Sequence, residues 1–355
     1  MVMEADIVQA LRSIEDPDLH RDIVSLGFVK DLRIDGGRVT FTIELTTPAC
    51  PVKEHFRTLA TQCVLALPGV TDVAVQFTAN VRASARSQPT PLLPDVKNII
   101  AIASGKGGVG KSTLTANLAC AMAQSGAMVG VLDADIYGPS LPKMLGALHP
   151  TLSVDAQNRL IPLELHGMKV FSLGFMVTDD TPVIWRGPMV HNVLNQLLGQ
   201  VAWGVLDYFF IDLPPGTGDA QLTITQSVPL TGAVIITTPQ EVSIQIASKG
   251  LKMFQEVQVP VLGFVENMSA FCCPHCHRES AIFRQGGTER AAQIHHVPFL
   301  GAIPIDPMVA LDCDAGEPIV FAHPDSEAAK AYQAIAGRVA AALSTRQMET
   351  AEAAG

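Results

Sequence analysis

Two kinds of hydrophobic pattern divide the chain. From about residue 97 onward, short unbroken apolar runs recur: Ile99-Ile100-Ala101-Ile102-Ala103, Val129-Gly130-Val131-Leu132, Tyr208-Phe209-Phe210-Ile211 and Val261-Leu262-Gly263-Phe264-Val265. Runs of this length without polar alternation predict parallel strands covered on both faces. Ser112 to Ala119 has the spacing of an amphipathic helix. Strands alternating with helices predict an α/β domain, a mostly parallel sheet flanked by helices. The front of the chain reads differently. Ala5 to Ile14 is helical in period, whereas Val29 to Ile34 and Arg38 to Leu45 alternate polar and apolar around Asp35-Gly36-Gly37, which predicts a β-hairpin. Pro51 to Leu67 predicts a helix and Val70 to Phe77 a strand. The order α-β-β-α-β marks a small α+β domain over residues 1–82. Residues 83–96 hold Pro89, Pro91 and Pro94 among small polar residues, a linker composition. The second domain is expected over 97–343, with 344–355 as a disordered tail.

The first predicted strand of the larger domain runs into Gly105-Lys106-Gly107-Gly108-Val109-Gly110-Lys111-Ser112-Thr113. This fits the phosphate-loop pattern G-x-x-x-x-G-K-[ST] in its required setting, between a strand and a helix. Glycines let successive N–H groups point at phosphate oxygens, and the helix N-terminus adds its positive end. Lys111 is expected on the β- and γ-phosphates of ATP and the Ser112 hydroxyl on Mg²⁺. Two later strands end in carboxylates, Asp133-Ala134-Asp135 and Asp212-Leu213-Pro214-Pro215-Gly216. That puts acids at the carboxyl edge of the sheet, where ligands bind.

With its extra lysine, the loop resembles the deviant Walker A ATPases of the ParA/MinD superclass. The resemblance implies that Lys106 reaches a partner's nucleotide across a dimer and that Asp135 positions the attacking water. It likewise implies that Asp133 and Asp212 lie around the magnesium, that Gly216 sits near the γ-phosphate and that Asn267 reads adenine. Lys106, Lys111 and Asp135 are then the catalytic set.

Charge narrows the partners. The net charge is −10 and the pI about 5.4, which leaves no electrostatic footprint for nucleic acid. No apolar run approaches the roughly 18 residues of a membrane helix, and no basic amphipathic tail suits a membrane surface. Met1 to Asp6 lacks the basic stretch of a signal peptide, so a cytoplasmic location is expected.

Seven cysteines, an odd number, argue against a disulfide framework. Cys63 and Cys120 lie in apolar helical patterns and read as core residues, and Cys313 has no partner spacing. Cys273-Pro274-His275-Cys276 directs two sulfurs to one point, which suits a soft metal or an iron–sulfur cluster. Two thiolates are half a set, and a symmetric partner would supply the rest. A zinc site completed by His275, His277, His295 or His296, a redox dithiol and a structural thiol pair compete with this reading.

The segment Glu266-Asn267-Met268-Ser269-Ala270-Phe271-Cys272-Cys273-Pro274-His275-Cys276 is similar to the Mrp/ApbC family of iron–sulfur cluster carrier ATPases. So are Asp135-Ile136-Tyr137-Gly138-Pro139-Ser140, Trp185-Arg186-Gly187-Pro188 and Thr237-Thr238-Pro239-Gln240. The resemblance implies a homodimer with a bridging [4Fe-4S] cluster on Cys273 and Cys276 of each copy. It further implies slow, switch-like ATP hydrolysis, a cluster or sulfur donor, and apo iron–sulfur proteins as clients. A zinc-bearing regulatory switch of the ParA/MinD type is the alternative. In the front domain, Asp16-Pro17-Asp18-Leu19 through Ser25-Leu26-Gly27 resembles the accessory domain of sulfur-assembly proteins, whose reactive cysteine matches Cys50. A thiol before a helix is expected to have a lowered pKa, and a buried cap is the alternative reading. The domain would dock a client or donor.

Overall fold

The structure, a computed structural model, describes residues 2–83, 92–135, 138–176, 187–216, 221–222, 224–225, 228–273, 276 and 278–354. The motif residues Ile136, Tyr137, Trp185, Arg186, Pro274, His275 and His277 lie outside the described residues, as does most of the linker. Two compact units divide the chain: Met1–Arg82 with Ala340–Gly355, and Ala83–Val339.

The smaller unit contains helix α1 (Glu4–Leu11) and two short strands, β1 (Glu15–Asp16) and β2 (Arg21–Asp22). Then come β3 (Val29–Asp35), β4 (Arg38–Leu45), helix α2 (Lys53–Leu65) and β5 (Asp72–Ala79). β3 and β4 pair antiparallel across the Gly36-Gly37 turn, and β5 returns parallel to β4. Phe41, Ile43, Phe56 and Val64 fill its core beneath Ile7 and Leu11 of α1. The chain's last residues differ from the expected disordered tail. One helix runs from Glu327 to Ala354, and Met348 packs against the core of the smaller unit while the Gln347 amide donates to the Arg82 carbonyl. Residues 344–354 are alanine, serine, threonine, arginine, glutamine, methionine and glutamate. Most of these favour a helix, and neither glycine nor proline interrupts them; the polar composition suggested disorder, and one apolar side chain ties the helix down.

The larger unit is built on a nine-stranded sheet. Its parallel members are β6 (Val96–Ser104), β7 (Val129–Asp133), β9 (Met168–Ser172), β10 (Leu206–Asp212), β11 (Gly232–Thr237), β12 (Val261–Cys272) and β14 (Phe299–Ile305). They lie in the order β14-β12-β11-β6-β10-β7-β9. β8 (Leu163–Leu165) and β13 (Glu279–Ser280) add antiparallel pairs at the two sides. Every residue of β10 and β11 is buried, which is why these strands read as unbroken apolar runs. Helix α3 (Lys111–Gln124) follows the loop after β6. The sheet order puts the ends of β6, β7 and β10 side by side, so the loop and both aspartate-bearing turns share one edge.

Met348→Ala should weaken the smaller unit alone. The side chain is half-buried, so the expected loss is about 1 kcal/mol in the opening free energy of amides in β4 and α2. Native-state hydrogen exchange reads this, with amides of β6 and β10 unchanged.

Candidate functional site

A cavity of about 630 Å³ opens at the carboxyl edge of the sheet, a size that suits a small-molecule ligand. Lys106, Gly107, Gly108, Gly110, Lys111 and Ser112 line one side. Thr113, Asp135, Asn267, Met268 and residues 304–307, 309 and 310 are among those lining the rest. The loop holds its shape through glycine: Gly108 and Gly110 have φ of +76° and +88°, a region other residues enter at a cost. Gly110 also precedes α3, and a Cβ there would collide with the Asn267 amide.

Three donors converge on Asp212, whose side chain is fully buried. Lys111 Nζ and Ser112 Oγ lie 2.7 and 2.6 Å from Oδ2, and Thr115 Oγ1 lies 2.6 Å from Oδ1. Lys111 is also 3.7 Å from Asp135. The groups suited to a metal and a phosphate are therefore packed on one another, with Lys111 between two carboxylates. Thr115 escaped the sequence reading. It stands one helical turn beyond Lys111 on the same face, and that spacing was the available signal.

Asp133 sits behind this group. Resemblance puts it around the magnesium; in this structure its oxygens serve the chain itself. Oδ1 accepts the Asp135 N–H at 3.1 Å, and Oδ2 accepts the Leu141 N–H at 3.2 Å and the Ser172 hydroxyl at 3.1 Å. The carboxylate thus braces the turn that carries Asp135. Burial, and next the charge of Asp212, push its pKa up to about 7 against the pull of Lys111.

The remaining expected residues take supporting places. Gly105 closes on the helix Glu241–Glu256, where a Cβ would strike Ile246. Gly216 has φ of +107° and donates its N–H to the Ser104 carbonyl at 2.9 Å, which ties the turn after β10 to the end of β6. Val109 is buried, and its carbonyl accepts the Asn267 Nδ2–H at 2.8 Å. The asparagine expected on adenine thus holds the loop backbone at the cavity's edge.

The dithiol lies on a hairpin. β12 pairs antiparallel with β13 at Phe271 and Cys272, and the Cys273 N–H donates to the Arg278 carbonyl at 3.1 Å. Cys276 is in the turn and exposed. Among the described residues no group of three or more His, Cys, Asp or Glu side chains is arranged to hold a metal ion. Of the histidines considered for zinc, His295 is engaged with the Ser248 hydroxyl at 3.0 Å. Cys50 corrects the expectation of a lowered pKa. α2 begins at Lys53, two residues later than the proline suggested, and burial pushes the Cys50 thiol up to about 11, with Asp16 and Asp18 adding to the rise. A partly buried residue before the helix, close to the alternative reading, is what the structure contains. No helix among the described residues is long and apolar enough to cross a membrane.

Two outcomes follow from these ionisations. Asp133 holds its proton more tightly folded than unfolded, so its contribution favours the fold at low pH and is lost as pH rises from about 4 to 7. The slope from one such group approaches about 1.4 kcal/mol per pH unit. Urea unfolding of Asp133→Asn across that range should show a flatter pH dependence than wild type, whatever its absolute stability. In the same protein, iodoacetamide at pH 8 should label Cys276 at least about tenfold faster than Cys50, because Cys276 is exposed whereas Cys50 is partly covered and burial holds back its thiolate; peptide mass spectrometry reads both rates.

Comparison with known proteins agrees with this geometry. Residues 95–340 match the family described as NUBPL iron-transfer P-loop NTPase, and residues 4–77 match the iron-sulfur cluster assembly protein family. An iron-sulfur cluster carrier protein of Synechocystis is 48% identical, the match covering 95% of this chain and 97% of that one. The protein of that name in Escherichia coli is 41% identical, covering 96% and 92%. Among solved structures, a nucleotide-binding protein of Archaeoglobus fulgidus in complex with ADP is 40% identical. The match has a TM-score of 0.57 and covers 62% of this chain and 87% of that one. The cell division ATPase MinD of Pyrococcus furiosus, at 24% identity and a TM-score of 0.53, covering 68% of this chain and 98% of its own, shares the fold. A phosphate loop set among buried acids, with matches of this extent, makes the chain a member of the iron-transfer P-loop NTPases, an ATPase of the iron–sulfur cluster carrier family.

Proposed function

We propose that two copies of this chain hold one [4Fe-4S] cluster between them, on Cys273 and Cys276 of each, and deliver it to apo iron–sulfur proteins under the control of ATP·Mg²⁺. The observation that carries this reading is the dithiol on its hairpin. One thiol is exposed in the turn, the other is fixed through its backbone to Arg278, and among the described residues no group of three or more His, Cys, Asp or Glu side chains is arranged to complete a metal site there. A surface pair of thiolates is half of the four-thiolate set that a cubane cluster takes, and a two-fold axis supplies the other half. An accessible site also suits cargo that must leave, whereas a resident cluster is better kept from solvent.

The nucleotide site fits a switch. Lys111 and Ser112 would leave Asp212 for the β,γ-phosphates and Mg²⁺, with Asp212 beside the metal. Asp135, braced by Asp133, would position the attacking water. Lys106 lines the cavity and is free of the Asp212 group, so it is the lysine available to a partner's nucleotide. Hydrolysis is slow in this reading because each turnover moves cargo. The cytoplasm, where thiols stay reduced, is the compartment that suits a labile dithiol site.

Anaerobic reconstitution tests the proposal. About four iron and four sulfide per dimer are expected, with none retained by the double variant Cys273→Ala/Cys276→Ala. Zinc without sulfide would replace the carrier by a switch with a structural metal.

A further inference from the structure

One strand joins the two sites. β12 begins between β11 and β14, carries Asn267 to the phosphate loop and ends at the dithiol hairpin. At its loop end the fit is tight. Asn267 donates to the Val109 carbonyl at 2.8 Å, and the space beside Gly110 admits no Cβ because the Asn267 amide fills it. Displacement of the loop therefore displaces Asn267.

The strand is not a plain one between Asn267 and Phe271. Met268 has φ of +58°, and its N–H is taken by the Asn267 side chain at 2.9 Å. That backbone region is costly for a residue with a side chain. Against β14, Asn267 pairs with Ile303 while Phe271 pairs with Ile305, so β12 uses four steps where its neighbour uses two. The surplus, Met268 to Ala270, is a bulge, and the Ser269 hydroxyl pins it to the Ile303 carbonyl at 3.0 Å. Beyond it, Phe271 and Cys272 enter the hairpin with β13, and the Cys273 N–H closes on Arg278. Bulges re-aim the chain and interrupt its pairing, and an interrupted, strained segment between two sites has more than one arrangement available to it.

We infer that the bulge Met268–Ala270 is a coupling element: nucleotide bound at the phosphate loop moves Asn267, the bulge shifts, and the hairpin bearing Cys273 and Cys276 is repositioned. The inference rests on the reading of that dithiol as the cargo site. It assigns Met268 and Ser269 a positioning role and makes nucleotide state and dithiol geometry reciprocal, since linked equilibria act in both directions.

The test uses the full-length protein without cluster. Alkylation rates of Cys273 and Cys276 by iodoacetamide are measured by peptide mass spectrometry, free and saturated with ADP·Mg²⁺ or ATP·Mg²⁺. Wild type should show at least about a fivefold change in rate on saturation, the lower end of ordinary coupling between sites. Two variants loosen the link at separate points. Met268→Gly lets the chain take its positive φ without cost, and Ser269→Ala frees the bulge from Ile303. In both, the change should fall below about twofold while nucleotide, titrated independently, is still bound. The ratios should be independent of protein concentration. The inference is overturned if wild type shows no change, if both variants keep the full ratio at saturation, or if the ratio scales with concentration and so reports assembly. Iron and sulfide content, measured separately, decides the carrier reading, so a carrier without this coupling and a coupling without a cluster give different results.

Discussion

The site depends on a single buried carboxylate. Asp212 ends a strand that is buried on both faces, and it gathers the ammonium of Lys111 with the hydroxyls of Ser112 and Thr115. Removing one partner of a buried ion pair typically costs about 3–5 kcal/mol, because the other charge stays uncompensated. That cost fixes the start of α3 against the end of β10. Asp212 also adds to the suppressed ionisation of Asp133, whose pKa burial raises first and the nearby Asp212 charge second, against the pull of Lys111. The raised proton affinity of Asp133 and the ammonium of Lys111 on Asp212 both reduce the negative charge gathered here. A phosphate and a divalent cation entering the cavity would rebalance both.

Much of this was legible in residue order, for a physical reason. Phosphate loops need glycine at positions of positive φ, and parallel strands need unbroken apolar runs, so both leave their mark on contiguous residues. Gly108, Gly110, Lys111 and the aspartates after β7 and β10 were readable on that basis. Contacts that join distant segments leave no such mark. The Ser172 hydroxyl on Asp133 spans 39 residues, and the Asn267 amide on Val109 spans 158. Nothing in the local spacing of either residue signals its partner. Thr115 lies between these cases, since helical period placed it on the face of Lys111 but gave its hydroxyl no destination.

The smaller unit shows where local rules mislead. A cysteine followed by proline ahead of a helix predicts a thiol acidified by the helix end. Cys50 instead lies two residues before the last non-helical position, and the low dielectric of its surroundings outweighs the field of α2. The C-terminal residues err in the other direction. Alanine-rich, charged sequence reads as unfolded when no apolar stripe is visible, yet the helix continues to Ala354, with Met348 packed against the smaller unit's core and the Gln347 amide on the Arg82 carbonyl. In both places burial decided the result, and burial is set by residues far away in the chain.

A carrier must hold its cargo firmly and release it on demand, and these needs conflict if the binding groups are rigid. The sheet of the larger unit resolves part of that conflict by its topology. The ends of β6, β7 and β10 form a stiff edge on which the nucleotide chemistry is assembled, because each strand is paired on both sides. β12 is paired in the same way along its first half, but its second half leaves regular register and continues as a hairpin. Rigidity and compliance therefore occur in succession on one strand, with Asn267 at the boundary. In the inferred coupling, a shift of the phosphate loop reaches β12 through Asn267 and is taken up where the pairing is already broken. That is the place where the chain carries Met268 in a left-handed conformation, four residues before the first cysteine of the hairpin.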